Sequence, residues 1–308
     1  METILVTGGA CLVGNHILGR LVNINGVKPI TVLKPERQGF PLQQGVEIFY
    51  TDLRKTKNLE RLFDTRRPNA VIHTAAKSGV GESLRKPLDY EENNVRVTLS
   101  LLELARKYGT KKFIFTSTGQ VYNIESPSPF SEETPADKQD SPYASSKRAC
   151  ELFCYTYSET SDISVVCLRL GNIYGPGMRK NMVIQQLAEK AFSNEPFTMH
   201  GDGTAARDYL HVSDLVDAII LVLQLDSKFE VLNISSGRST EVNDLIGIVE
   251  RITERKIRTQ RVEGNTASDK RLYMDISKAK RVLSWQPRVS LEEGLRTYIQ
   301  WYTQNISS

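Results

Sequence analysis

The chain has 308 residues, of which 40% are hydrophobic and 25% charged, and a formal net charge of +4. That is ordinary globular composition, enough for one large α/β domain or two modest ones, and the small positive excess contains no basic run that would point to nucleic acid. Apolar stretches are broken well short of the ~18 residues of a membrane span, and the start, METILVTGGACLVG, has Glu2 where a signal peptide would be basic, so neither membrane insertion nor secretion is expected.

In chain order, short β-branched runs alternate with longer helical patterns. ILVT (4–7), ITVL (30–33), VEIFY (46–50), AVIHTA (70–75), KFIFTS (112–117) and SVVCLRL (164–170) read as strands apolar on both faces. Helix-like stretches fall between them at about 14–24, 55–66, 84–108 and 143–160. This alternation implies a doubly wound parallel sheet of the Rossmann type, covered on both sides. The segment NIESPSPFSEETPADKQDSP (123–142) is a surface loop by its prolines and serines. Beyond residue 171 the pattern loosens into glycine-bearing loops, GNIYGPG (171–177) and GDGTAARD (201–208). A helix over 213–224, a strand at 230–235 and an amphipathic helix over 290–304 follow, the last with Leu291, Leu295, Tyr298 and Tyr302 on one face.

The expected division is a dinucleotide-binding domain over 1–170, to which a segment near 205–238 returns, and a smaller mixed α/β lobe over 171–308 that holds substrate. Cys150 and Cys154, one helical turn apart and far in sequence from any histidine, read as small apolar side chains, so no metal is expected. With Cys11 and Cys167 they form no disulfide framework, which suits a reduced cytoplasmic protein.

Three features carry chemistry. Gly8, Gly9 and Gly14, between the first strand and the first helix, fit a turn that lets backbone and a helix N-terminus approach a pyrophosphate. After the second strand, Lys34 and Arg37 stand where a basic residue would pair with a 2′-phosphate and an acid would bind a ribose diol, which leans towards NADP. Tyr143 and Lys147, at i,i+4, share a helix face, and Thr118 ends the preceding strand. The ammonium is expected to lower the tyrosine pKa towards that of a general base, with the Thr118 hydroxyl on the same substrate oxygen.

With these residues in order, the sequence resembles the extended short-chain dehydrogenase/reductase family, the NAD-dependent sugar epimerase/dehydratase group, and within it the UDP-glucose/UDP-galactose 4-epimerases. The likeness runs through TGGACLVG (7–14), HTAA (73–76), GVGESLRKPLDYEENNV (79–95), FIFTSTGQVY (113–122), SPYASSK (141–147), LRLGNIYGPG (168–177), GDGTAARDYLHVSD (201–214) and MDISKAKRVLSWQPRVSLEEGL (274–295). It implies a 4-epimerase using NAD, with Gly8, Ala10, Cys11, Val13 and Gly14 at the pyrophosphate and Asp52 and Leu53 at the adenine. Ala75 and Ala76 would line the ribose and phosphate side, with Asn94 near the cofactor. Thr118, Tyr143 and Lys147 match the catalytic set, Lys147 also bonding the nicotinamide ribose. Asn172 and Arg207 match positions that contact the nucleotide-sugar diphosphate, although Arg207 could instead pair with Asp208. Val80, Ser83 and the 178–199 segment would shape the sugar pocket. In the family, the helices matching 93–109 and the one after Tyr143 pair two subunits through a four-helix bundle, so a homodimer is expected.

The chain also departs from the family pattern. Cys11 replaces a glycine, and its side chain is expected to weaken cofactor binding or displace the turn. Lys34 replaces an aspartate, and Asn123 a glycine. Gly119-Gln120 follow Thr118 where 4,6-dehydratases carry acid, which argues against elimination of water. Asn265 falls where a second diphosphate-binding arginine is usual, leaving Arg261 and Arg271 as substitutes. Two other functions fit the same residues: an NADP-dependent 4-keto-sugar reductase, and a non-catalytic nucleotide-binding module whose cofactor turn Cys11 disables.

Overall fold

In the computed structural model, which describes residues 1–36, 42–180, 182–263 and 271–306, strands and helices alternate through the first half of the chain. β1 (Glu2–Thr7), α1 (Leu12–Leu21), β2 (Val27–Leu33) and β3 (Glu47–Tyr50) come first, then α2 (Thr56–Arg66) and β4 (Ala70–His73). After α3 (Val80–Arg85), α4 (Pro87–Tyr90) and α5 (Val97–Tyr108) come β5 (Lys112–Thr116), α6 (Pro142–Thr160) and β6 (Ser164–Leu170). The strand lengths follow the β-branched runs, because residues that pack on both faces of a central strand must be apolar at consecutive positions.

The helix expected over 84–108 is not continuous. Pro87 disfavours helical geometry at the residue before it, and Lys86 accordingly leaves the helix with φ −136° and ψ 57°. Helix then resumes, widened to a π-helical stretch over Glu91–Arg96 before α5.

The remaining elements are β7 (Asn172–Tyr174), α7 (Val183–Ser193), β8 (Phe197–His200), β9 (Ala206–Arg207), β10 (Tyr209–His211), α8 (Val212–Gln224) and β11 (Phe229–Ile234). They are followed by β12 (Thr240–Glu241), α9 (Val242–Thr253), β13 (Thr259–Val262), β14 (Arg271–Leu272), α10 (Ser277–Leu283) and α11 (Leu291–Ile306). The principal sheet has seven strands in the order β11-β6-β5-β4-β1-β2-β3. All its pairings are parallel, from Glu2 opposite Val27 on one side of β1 to Phe229 opposite Val165 at the far edge. The order reverses between β1 and β4, and the crevice beyond the carboxyl ends of these strands is where such sheets bind ligands.

Two apolar layers cover the sheet. Ile17, Leu18 and Leu21 of α1 pack with Leu215, Ile219 and Val222 of α8 on one face. On the other, Leu59, Leu62 and Phe63 of α2 pack with Leu101, Leu102, Cys150, Cys154 and Cys167. A third cluster, including Tyr174, Leu187, Phe197, Leu245, Leu295 and Tyr298, holds the C-terminal lobe together. The lobe meets α1 through His16, whose Nε2 lies 2.9 Å from the Pro176 carbonyl. Among the described residues, no helix is long and apolar enough to cross a membrane.

Candidate active site

The cleft begins at the turn after β1. Gly8 has φ +78°, a conformation side chains rarely adopt. A Cβ on Gly14 would lie 2.2 Å from the Gly8 carbonyl oxygen, so only glycine lets α1 start this close to the turn. The turn closes with Cys11 N donating to Gly8 O at 2.9 Å. Cys11 caps α1 with φ −101° and ψ 163°, extended backbone open to any residue, so the turn's backbone does not require a glycine at this position. Ala10 is buried and Val13 packs on the sheet, leaving the first turn of α1 to present its N–H groups to the crevice.

The end of β4 is strapped to the end of β1. Thr74 Oγ1 donates to Thr7 O at 2.6 Å and Ala75 N to Thr7 Oγ1 at 3.2 Å. A Cβ on Gly8 would meet Ala75 N at 3.0 Å, so Ala75 and Ala76 border the same crevice as the glycine turn. His73 is sealed beneath, its Nδ1 2.7 Å from Thr7 Oγ1 and its Nε2 3.0 Å from Thr98 Oγ1. Burial and the nearby Lys147 push its pKa down to about 3, so it stays neutral.

Beyond β2, Lys34 does not stand as a spare cation. Its Nζ lies 3.0 Å from Asp52 Oδ2, and Arg54 grips the same carboxylate while reaching Glu92 at 3.1 Å. Hydrogen bonds from Arg54 and Lys34 hold the Asp52 carboxyl far below the usual range. Leu53 packs against the core beside them. Arg37 and Asn265 lie outside the described residues.

Thr118 follows β5 and caps the short turn Gly119–Val121, accepting from Gln120 N at 3.3 Å. Ser141 caps α6 and Pro142 takes its first turn, a start that brings Tyr143 and Lys147 to the sheet's carboxyl end. The Tyr143 phenol hydrogen-bonds Thr118, and Tyr90 stands edge-on to it with ring centroids 6.2 Å apart. Lys147, 3% exposed, donates from Nζ to Thr116 O at 2.7 Å. Burial lowers its pKa to about 8.

The expectation that Lys147 would lower the Tyr143 pKa is not met in this structure. Burial raises the phenol's pKa, and the opposing influences are the Thr118 hydrogen bond and the charge of Arg179, because the Lys147 ammonium points to Thr116. Arg179 belongs to the 178–199 segment, which sequence reasoning could not resolve residue by residue.

Asn94, in the π-helical stretch, joins two parts of the cleft. It donates to Lys77 O at 3.0 Å and to Ser146 Oγ at 2.9 Å, beside Lys147, while Lys77 N donates back to its Oδ1 at 2.8 Å. Val80 opens α3. Ser83 is fully buried and donates to Val80 O at 2.7 Å, so its hydroxyl turns into its own helix and not to the pocket.

On the lobe side, Asn172 N donates to Asp208 O at 2.9 Å, which joins β7 to the strands around Arg207. Arg207 does not take the Asp208 carboxylate. That carboxylate accepts from Ser236 N at 2.7 Å, Ser236 Oγ at 2.6 Å, Gly237 N at 3.2 Å and Met274 N at 3.3 Å. Arg207 instead donates to Ala206 O at 2.9 Å, and burial lowers its pKa. Arg271 lies on the neighbouring strand, opposite Ala206, but its guanidinium pairs with Glu241 and is exposed. Arg261 is an exposed residue of β13, which pairs with β8 and not with the strands around Arg207.

A glycine turn at the β1–β4 switch point, facing a Thr–Tyr–Lys set on the next part of the sheet, defines an enzyme of the short-chain dehydrogenase/reductase type. The chain belongs to the NAD dependent epimerase/dehydratase family, which residues 4–235 match. It is 33% identical to a UDP-glucuronate 4-epimerase of Thermodesulfobacterium geofontis over 95% of this chain and 90% of the relative. Its fold is similar to the crystal structure of a UDP-glucose 4-epimerase with UDP-glucose from Thermotoga maritima, with TM-score 0.93, 32% identity and coverage of 99% of this chain and 100% of that one. A Thermus thermophilus UDP-glucose 4-epimerase in complex with NAD superposes with TM-score 0.89 at 30% identity, covering 99% and 100% of the two chains.

Proposed function

We propose that this protein is a UDP-sugar 4-epimerase that uses NAD. The observation that carries the reading is the joint placement of Thr118, Tyr143 and Lys147 across the crevice from the Gly8–Gly14 turn, with Gly119 and Gln120 following Thr118 in place of a dehydratase's acids. Relatives named for UDP-glucose and for UDP-glucuronate support it.

The residues at the crevice fit a dinucleotide. Gly8, Ala10, Cys11, Val13 and Gly14 would hold its pyrophosphate, and Asp52 with Leu53 its adenosine end. Ala75, Ala76 and Asn94 would border it, with Lys147 at the ribose. When bound, NAD supplies a hydride acceptor that returns the hydride, and a positive charge beside the phenol.

Tyr143 takes the proton of the sugar 4-hydroxyl onto Oη, and Thr118 holds that same oxygen. The C4 carbon becomes a ketone, the 4-keto sugar turns over, and Tyr143 returns the proton to the oxygen as the other face is reduced. Orientation is the protein's main contribution. Asn172 and Arg207 hold the diphosphate, a task suited to a permanently charged fork of donors. Against the NADP-dependent reductase stands the ion pair of Lys34 with Asp52, a carboxylate it shares with Arg54.

Incubation with NAD and, in turn, UDP-glucose, UDP-N-acetylglucosamine and UDP-glucuronate tests the reading by NMR of the products. Inversion at C4 of at least one is expected; neither conversion nor binding of any would overturn it. For Arg207→Ala, KM for the nucleotide sugar should rise about 10- to 100-fold with kcat within about threefold, as for a group that binds ground and transition states alike. An unchanged KM in steady-state assays would remove Arg207 from the diphosphate site.

The reading extends to a cytoplasmic homodimer. α6 leaves Leu152 and Tyr155 53% and 50% exposed, an apolar face available for the four-helix pairing. Light scattering should give a dimer at micromolar concentration and a monomer for Leu152→Glu; a monomeric parent protein would reject the pairing.

A further inference from the structure

A buried ion pair lies one helical turn behind the reacting groups. Tyr143, Lys147 and Glu151 follow one another at i, i+4 and i+8 on α6, so Glu151 shares a face with both. The Glu151 carboxylate is 1% exposed and the Arg169 side chain, from β6, 4%. Arg169 binds it with two parallel bonds, Nε to Oε1 at 3.0 Å and Nη2 to Oε2 at 2.8 Å. Arg148 adds a third from its Nη1 to Oε2 at 2.9 Å. The Arg169 guanidinium is itself held, 4.6 Å over the Tyr122 ring, whose hydroxyl donates to Asn233 at 2.6 Å.

Burying a carboxylate and a guanidinium costs both their hydration, and a packed apolar pair of similar volume is often as stable. Filling space is therefore a weak reason for a charge pair at this place. What surrounds Lys147 supplies a better one. Its Nζ faces the Thr116 carbonyl and the Phe115 ring from β5. His73 from β4 is neutral, and on α6 the Cys150 thiol is pushed up to about 11 and Cys154 well above its ordinary value. Cys167 from β6 and Tyr143 on α6 complete the surroundings. Glu151 is the carboxylate whose charge reaches Lys147. Without Arg169 its Oε1 loses its partner while Oε2 keeps Arg148, and the carboxylate becomes an i,i+4 partner able to draw the ammonium away from the strand end.

We propose that Arg169 is a positioning residue for Lys147: by fixing the Glu151 carboxylate in a bidentate pair, it leaves the lysine ammonium directed at the end of β5 and at the cofactor. The proposal rests on the assignment of Thr118, Tyr143 and Lys147 as the catalytic set, and it concerns how Lys147 is held, whichever sugar is turned over.

The test compares wild type with Arg169→Met, Arg169→Lys, Glu151→Gln and the double variant Arg169→Met/Glu151→Gln. NAD affinity by calorimetry across pH 6–10 is the first readout and the alkaline limb of kcat the second, with thermal melts as a folding control. In Arg169→Met, Glu151, left with Arg148 alone, should weaken NAD binding roughly tenfold and move the alkaline limb up by about one pH unit, the size expected of a new opposite charge nearby. Arg169→Lys, which keeps a cation, should shift both in the same direction by less. Glu151→Gln leaves Arg169 without its acid and should move the limb down. The double variant should return NAD affinity and the limb towards wild type. If it is as impaired as Arg169→Met, or if the variants change melting alone, the pair is structural and the proposal falls. Should Arg169→Met fail to fold, the opposite shifts of Arg169→Lys and Glu151→Gln decide the question, and shifts of the same sign overturn it. NAD affinity is read without substrate, so failure of every sugar to react would overturn the epimerase assignment and leave this test standing.

Discussion

Tyr143→Phe is expected to lower kcat by about 10³-fold, within the 10²- to 10⁴-fold range of a lost general acid–base group. Affinity for UDP-sugar should stay within about threefold. The substitution removes one oxygen from a ring already packed edge-on to Tyr90, so the pocket keeps its shape. In the proposed mechanism it also removes the group that takes and returns the 4-hydroxyl proton, and Thr118, a neutral hydroxyl, has no capacity to substitute. Burial holds the Tyr143 pKa above its ordinary value, and the positive charge that opposes it is that of Arg179, to which a bound dinucleotide would add its own. Steady-state kinetics with calorimetry separate the two quantities. Undiminished turnover would take Tyr143 out of the chemistry.

The second large effect is expected at the turn. In Gly14→Ala the new methyl would stand 2.2 Å from the Gly8 carbonyl oxygen and 2.6 Å from its carbon. Both atoms belong to backbone, so no side chain can swing aside. The first turn of α1 must move away from the strand end, and the N–H groups that would meet the pyrophosphate move with it. NAD affinity should fall at least about 100-fold, since two or three charge-assisted hydrogen bonds are misplaced together. Fluorescence titration with NADH checks this; unaltered affinity would mean the dinucleotide is held elsewhere. Cys11 is the instructive contrast. It also replaces a glycine of the family pattern, yet its backbone is extended and its amide still closes the turn.

Much of the architecture is legible in the sequence because each strand is a local run of β-branched residues between glycine or polar punctuation. β11 is legible for the same reason, through Val231, Leu232 and Ile234. The continuous helix over 84–108 failed where a single residue, Pro87, outweighed the periodicity on either side. Tyr143 and Lys147 are legible together because i,i+4 spacing on a helix fixes their adjacency.

Charge pairing is what the sequence conceals. Lys34 reads as a 2′-phosphate ligand, and nothing in the sequence shows its ion pair with Asp52, from another strand end. Asp208 looked like a partner for its neighbour Arg207, whereas adjacent strand residues point to opposite faces and its carboxylate serves the 235–237 loop. Arg271 was a candidate for the diphosphate and pairs with Glu241. Glu151 is four residues from Lys147, a spacing open to inspection, but its tie to Arg169 depends on how α6 lies on β6.

The central claim is that one active site removes and restores the hydrogen at C4 of a UDP-sugar without releasing an oxidised product. The direct measurement uses the accepted UDP-sugar labelled with deuterium at C4, incubated with the NAD-loaded enzyme and followed by NMR and mass spectrometry. The product should be the C4 epimer with deuterium still at C4, with no free NADH and no accumulated keto sugar. Appearance of the label in released NADH beside a 4-keto product, or a label that never leaves an unconverted substrate, would contradict the account.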